Sequence, residues 1–265
     1  MKKYSTFFRK FSIFLTICLF FCCGFYSPVQ ASTKSSPKEF LLDAGTPETI
    51  LDTLPEEQIN RMYKNLTSSG ADVTYAGKTT IPEQITLRGN INTNDLDFSA
   101  LYYNLSYEGK VFQVQLYMNY RWKTLPNVAK TDALIVSWDK NLFTLANAGI
   151  HCFADTFVGK ITCKDQYNPD VTAKNALGFY LPLSDASLWG ATSYYGSVDV
   201  FLNTPETLSP NESCNINLKY THLNNANENI NLTVNGTQIN VSGTTSIDTL
   251  QKNISYKANN NIIEE

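Results

Sequence analysis

The chain has 265 residues, 21 Lys plus Arg against 24 Asp plus Glu, a formal charge of −3 and 12% aromatic residues. An acidic chain with no block of Lys or Arg repels phosphate backbones, which excludes nucleic acid as a partner. A chain of this length can bury one sizeable core or two small ones with no metal or disulfide framework.

Residues 1–31 read as a secretory signal peptide. Lys2, Lys3, Arg9 and Lys10 precede an apolar run from Phe11 to about Phe25, and Val29-Gln30-Ala31 supplies the small residues a signal peptidase accepts. The run is shorter than the roughly 20 residues that span a bilayer, so contact with the membrane is expected only in transit, with an uncleaved anchor as the alternative. Phe21 before Cys22, and Cys22 before Cys23, are not the small residues that precede a lipidated cysteine. Cleavage removes four of the basic residues and no acid, which leaves 17 basic against 24 acidic residues and a formal charge of −7 on the secreted, extracellular form.

Residues 32–45 have the polar, proline-containing character of a flexible tether. Residues 46–70 carry helix signals: Thr46 before Pro47, then Pro55-Glu56-Glu57 opening a helix with Ile59, Met62, Tyr63 and Leu66 on one stripe. Such a stripe predicts packing on the parent domain. From about Ile81 the apolar period becomes two, and residues 71–258 are expected to form an antiparallel β domain, followed by a tail at 259–265.

Leu101 to Tyr107 and Val111 to Trp122 form a hairpin pattern around Glu108-Gly109, with Phe112, Val114, Leu116, Met118, Tyr120 and Trp122 on one face. Further strands are expected at Ala133 to Trp138, Phe157 to Cys163, Ala176 to Leu183, Ser193 to Leu202, Cys214 to Tyr220, Ile230 to Val234 and Thr237 to Val241. The last two flank Asn235-Gly236, a pair suited to a hairpin turn. Many strands and few helices predict an all-β fold, an antiparallel β-sandwich or jelly roll with a short N-terminal helical segment. The spacing of Cys152 and Cys163 suits a disulfide-closed hairpin, and the alternation around Cys214 puts that thiol among Ile216, Leu218 and Tyr220.

The strand ending at Trp122 offers a candidate ligand surface. Its second face carries Gln115, Tyr117, Asn119 and Arg121, an aromatic ring between amides, which can stack on and hydrogen-bond to a cell-wall glycan, a host glycan or a peptide. A solvated Tyr117 would leave the fold intact when replaced by alanine, whereas Trp122 reads as core.

The same region resembles a known group. "NYRWKTLP", "TDALIVSWDKNLF" and "ALGFYLP", with "TPETILDTLPEEQ" before them, are similar to uncharacterised β-rich proteins exported by Gram-positive bacteria, over roughly Ala44 to Leu183. An aromatic strand followed by Asp132, Ala133, Trp138 and Asp139 carries the likeness. It implies export and a shared fold, and brings no catalytic residues.

Enzyme signatures are sparse. His151 and His222 lack the close spacing of a zinc helix, and neither a GxSxG elbow nor a GxxxxGK[ST] loop is present. Paired carboxylates have no fixed spacing, so a secreted glycoside hydrolase stays open as an alternative, with Glu108, Asp139, Asp155 and Asp199 as its acids and Asp199 placed on the polar face of an edge strand. Calcium is the one cofactor the composition admits, at Asp165, Asn168 and Asp170 or at Asn94, Asp95 and Asp97. The Ser/Thr/Asn-rich strands around Gly236 raise a second alternative, a membrane-active or pore-forming protein, although a spanning strand needs about nine to eleven residues. The leading expectation is a noncatalytic secreted or surface-associated binding domain.

Overall fold

The computed structural model describes residues 35–80, 91, 95–139, 142–184, 190–204, 213–243, 246–257 and 261–264. From Pro37 onward the described residues belong to one compact unit, and the signal peptide lies outside the described residues. Among the described residues no helix is long and apolar enough to cross a membrane.

Among the described residues three helices come first: α1 Pro37–Asp43, α2 Glu48–Leu51 and α3 Glu56–Thr67. Fourteen strands follow among the described residues. The first seven are β1 Asp72–Thr80, β2 Leu96–Tyr107, β3 Lys110–Trp122, β4 Thr131–Trp138, β5 Thr144–Thr156, β6 Gly159–Gln166 and β7 Val171–Ala173. The others are β8 Ala176–Pro182, β9 Ala191–Asn203, β10 Ser213–Leu223, β11 Asn231–Asn235, β12 Gln238–Ser242, β13 Ile247–Lys257 and β14 Asn261–Glu264.

Among the described residues every strand pairing is antiparallel. One sheet has the order β1-β2-β3-β9-β5-β6, the second β14-β13-β10-β4-β8-β7, and β11 pairs with β12 alone. The inner faces of the two sheets share one core, to which β3 gives Val114, Leu116, Met118, Tyr120 and Trp122 and β10 gives Cys214, Ile216, Leu218 and Tyr220. This is the β-sandwich that the period-two patterning predicts.

Both outer faces are covered in part as well. Leu41, Leu51, Met62 and Leu66 of the helices pack on Leu101, Tyr103, Leu105 and Tyr117 of the first sheet. Leu232 and Ile239 of the β11–β12 hairpin pack on Ala133, Ile135 and Ala176 of the second. Gly178 of β8 makes that seat possible, since a Cβ there would stand 2.7 Å from Leu232 Cδ1. Because β2 is buried on both faces, its tyrosines divide between two cores: Tyr102 points into the sandwich and Tyr103 toward the helices.

Several local expectations are corrected. The segment read as a tether is helical from Pro37, and Leu41 is fully buried. Thr46 bonds to the Tyr103 hydroxyl at 2.8 Å rather than capping α2, whose N-cap is Pro47. Phe112 leaves the inner face because the β2–β3 ladder slips between Leu105 and Ser106; it stacks on Tyr107 with ring centroids 4.9 Å apart. The first hairpin turn is as expected, with Glu108 and Gly109 at φ 50° and 75°, both positive as a type I′ turn needs. In the last hairpin Asn235 pairs with Gln238, so the turn residues are Gly236 and Thr237, and only Gly236, at φ 63°, has positive φ. The C-terminal residues expected as a tail include β14, paired to β13.

The disulfide is also overturned. Cys152, Cys163 and Cys214 are thiols. The β5–β6 ladder slips by one residue at Cys163, so that Cys152 faces Lys164 and Phe153 faces Thr162. The Cys152 sulfur accepts a hydrogen bond from the Tyr120 hydroxyl at 2.6 Å inside the core. Burial pushes the Cys152 thiol up to about 11 and Cys214 to about 12, which keeps both from the thiolate form that oxidation requires.

Tyr117 is a core residue of the helix–sheet interface, so Tyr117→Ala is expected to destabilise the protein by about 3–5 kcal/mol. Urea denaturation followed by tryptophan fluorescence measures it; an unchanged midpoint would place the ring in water.

Candidate functional site

The outer face of the first sheet is built from alternate residues of its central strands: Gln115, Tyr117, Asn119 and Arg121 on β3, Tyr195, Ser197 and Asp199 on β9, His151 and Phe153 on β5. Helix α3 covers one end of it. Under the helix, Gln115 is 2% exposed and Tyr117 0%, and the Tyr117 hydroxyl donates to Gln115 Oε1 at 2.5 Å. The expectation of a solvated face at these two residues is therefore corrected: the alternation was read rightly, but the helical segment supplies a third layer over it. Burial holds the Tyr117 phenol well above its usual range, helped by the charge of Asp199.

Beyond the helix, Asn119 is half-buried and accepts a hydrogen bond from Gln58, while Arg121 is exposed, its guanidinium 5.7 Å from the centroid of the Tyr195 ring. Tyr195 and Phe153 stand side by side with centroids 5.9 Å apart and planes inclined by 35°. Lys160 lies 5.2 Å over Phe153 and pairs with Glu57 of α3. Together with the 52–55 loop before α3 and the ends of β1 and β2, Asn119, Arg121, Phe153 and Tyr195 line a cleft of about 590 Å³. Two of the four expected ligand residues, Asn119 and Arg121, line it. Tyr195 and Phe153 were missed, because alternation alone assigns no special exposure to an aromatic in a central strand.

A buried polar cluster is set beside the cleft. Arg61 Nε of α3 donates to Asp199 Oδ2 at 2.8 Å, its Nη2 donates to Ser197 Oγ, and Ser197 Oγ donates to Asp199 Oδ1 at 3.1 Å. Asn65 Nδ2 reaches Asp199 at 3.4 Å. The Asp199 side chain is 4% exposed, in a strand paired on both sides to β3 and β5, so the edge-strand reading is corrected. His151 has Nδ1 2.7 Å from Asp165 and Nε2 3.8 Å from Asp199. Burial and then the Arg61 charge lower its pKa, against the pull of the two carboxylates.

The remaining candidates are dispersed. Asp155 stands opposite Ser193, six residues along β9 from Asp199, a separation of about 20 Å at the rise of a strand and too long for a glycosidase pair. Its carboxylate accepts from Ser193 at 2.7 Å and from the Tyr195 hydroxyl at 3.2 Å. Asp139 accepts from the Asn215 backbone N–H at 3.0 Å, and Glu108 sits in the hairpin turn. In the calcium candidate, Asp165 faces His151, Asp170 accepts from Lys164 at 2.5 Å and from the Tyr180 N–H at 2.8 Å, and the Asn168 carbonyl accepts from Gln166. Among the described residues no group of three His, Cys, Asp or Glu side chains is arranged to hold a metal ion. Asn94, of the second calcium candidate, lies outside the described residues, and Asp97 pairs with Lys123 at 2.8 Å.

The residues behind the Gram-positive resemblance fasten the fold. Asp132, fully buried, accepts from the Tyr220 hydroxyl at 2.5 Å and faces His222 Nδ1 at 2.8 Å; Trp138 Nε1 donates to the Phe143 carbonyl at 3.1 Å.

No protein family model matches the chain, and no curated protein does. Solved structures with some likeness include a pore forming protein (8% identity, 74% of this chain and 96% of that one, TM-score 0.39). Another is the collagen-binding domain from a Staphylococcus aureus adhesin (12% identity, 54% and 87%, TM-score 0.28). A third is the KRT10-binding region domain of the pneumococcal serine rich repeat protein PsrP (8% identity, 66% and 98%, TM-score 0.26). At these values none of them transfers a function to this chain.

Two measurements check the polar cluster. Arg61→Ala should cost about 3–5 kcal/mol, because it leaves Asp199 buried without its cation, whereas Arg61→Met combined with Asp199→Leu should cost much less. Denaturant midpoints decide; equal losses in both would assign the helix–sheet contact to packing alone. The lowered pKa of His151 makes the unfolded chain bind the proton first as pH falls. Its contribution to stability is thus full above the ordinary value of 6.5 and declines from there down to the folded pKa. Midpoints between about pH 5 and 8 should show this decline reduced in His151→Gln.

Proposed function

We propose that this chain is a noncatalytic exported binding domain that holds a glycan or peptide in the cleft between α3 and the first sheet. The observation that carries the reading is the pairing of the Tyr195 and Phe153 rings with the Arg121 guanidinium in a cleft of about 590 Å³. A shallow site needs an apolar platform and a few convergent polar groups. Here the rings are the platform, and Asn119 and Arg121 are the polar groups. Neighbouring Arg61, Ser197 and Asp199 are committed to one another, so they fix the floor of the cleft rather than offer a free acid or nucleophile. Export rests on the signal sequence, and the formal charge of −7 on the processed chain favours a local site over broad attraction to anionic lipid.

Arrays of glycans and peptides probed with the secreted protein test the reading. Tyr195→Ala should lower capture by about tenfold, the loss of one stacking contact, with the melting temperature near that of the wild type. Equal capture by both proteins would remove the cleft as the site, and turnover of a captured glycan would make the protein a hydrolase.

A further inference from the structure

We infer that the ligand of this cleft is an acidic saccharide, its ring carboxylate bound by Arg121, with Lys78 as a second cation of the same cleft. The inference rests on the proposed binding role and follows from how charges pair around the cleft. The three acids that line it are each occupied by a lysine: Asp52 by Lys38 at 2.8 Å, Glu57 by Lys160, and Asp97 by Lys123 at 2.8 Å. Arg61 is occupied by Asp199. Lys78 and Arg121 also line the cleft, both are exposed, and neither has an acidic partner among the described residues. Among the described residues the cleft therefore presents two cations outside any ion pair, in a chain that is acidic as a whole.

Arg121 is suited to a carboxylate. Its guanidinium is held over Tyr195, and a planar fork of N–H donors pairs with two carboxylate oxygens at once. Stacking and pairing then act on one ligand unit, a flat ring face against Tyr195 or Phe153 with an anionic group at its rim. A pyranose bearing a carboxylate has that shape, and Thr53, Thr80, Ser99 and Asn119 supply hydroxyl and amide partners for its hydroxyls. A peptide is less well served. The strands beneath the cleft, β2, β3 and β9, are paired on both edges, so among the described strands that line it only β1, at the rim, offers an edge for strand addition. Densely charged chains such as nucleic acids or highly sulfated glycans would meet the overall negative charge, whereas one carboxylate per sugar needs only the local pair of cations.

The test uses the secreted protein on oligosaccharides containing glucuronate, galacturonate or sialate, each beside its carboxyl-reduced counterpart, with a sulfated glycan and an acidic peptide on the same array. The acidic member of at least one pair should bind about tenfold more tightly than its reduced form. That preference should disappear in Arg121→Gln, shrink in Lys78→Gln, and weaken between about 0.05 and about 0.5 M salt. Equal binding of acidic and reduced sugars, both lost in Tyr195→Ala, would overturn the carboxylate while leaving the cleft as a binding site. Capture of the sulfated glycan or the peptide alone would overturn the acidic saccharide, and binding that is insensitive to Tyr195→Ala, or no binding to any probe, would overturn both readings.

Discussion

The ion pair between Arg61 of α3 and Asp199 of β9 sets the position on which the rest of this face depends. Apolar burial attracts the helices to the outer face of the first sheet, but it is non-directional and tolerates sliding. A guanidinium held by Asp199 and Ser197 does not tolerate it, because a displaced helix would leave a carboxylate desolvated and unpaired. With that point fixed, Met62 and Leu66 reach Leu101, Tyr103, Leu105 and Tyr117, and Gln58 reaches Asn119. The cleft begins where this cover ends.

The position of the cleft follows from the helix as well. α3 starts at Glu56 with Pro55 as its N-cap, and the 52–55 loop before it forms one wall. Glu57 in its first turn reaches across to Lys160 of β6, near Phe153 of β5, so the wall is tied to the β5–β6 side of the sheet. The site is thus a junction between two layers, and a change in the Arg61 contact would be felt in its width.

A second polar seam joins the sheets through the interior. Trp122 Nε1 of the first sheet donates to the Tyr220 hydroxyl of the second at 2.8 Å, and that hydroxyl in turn donates to Asp132. Farther along, the Tyr256 hydroxyl donates to Asn104 Oδ1 at 3.2 Å. Such directional bonds inside an apolar core favour one relative placement of the sheets, which leucine and valine contacts alone leave loosely specified.

Period-two alternation from Leu101 to Trp122, the Glu108-Gly109 turn and the stripe on α3 are local properties, so the sequence alone determined a mostly antiparallel β domain, its main hairpin and the burial of Trp122, Tyr120 and Cys214. β5 was not legible. Its Ala, Gly and Asn residues carry a weak period, and its place between β9 and β6 comes from partners remote in sequence. Alternation also states that Tyr117 and Trp122 face opposite ways without stating what lies on either side. Only the tertiary structure decided that both sides of β3 are covered at Tyr117, that Asp199 is central and paired, and that the half-buried aromatic partner of Arg121 is Tyr195, opposite it on β9. The physical reason is that exposure belongs to the assembled layers, whereas periodicity belongs to a single strand.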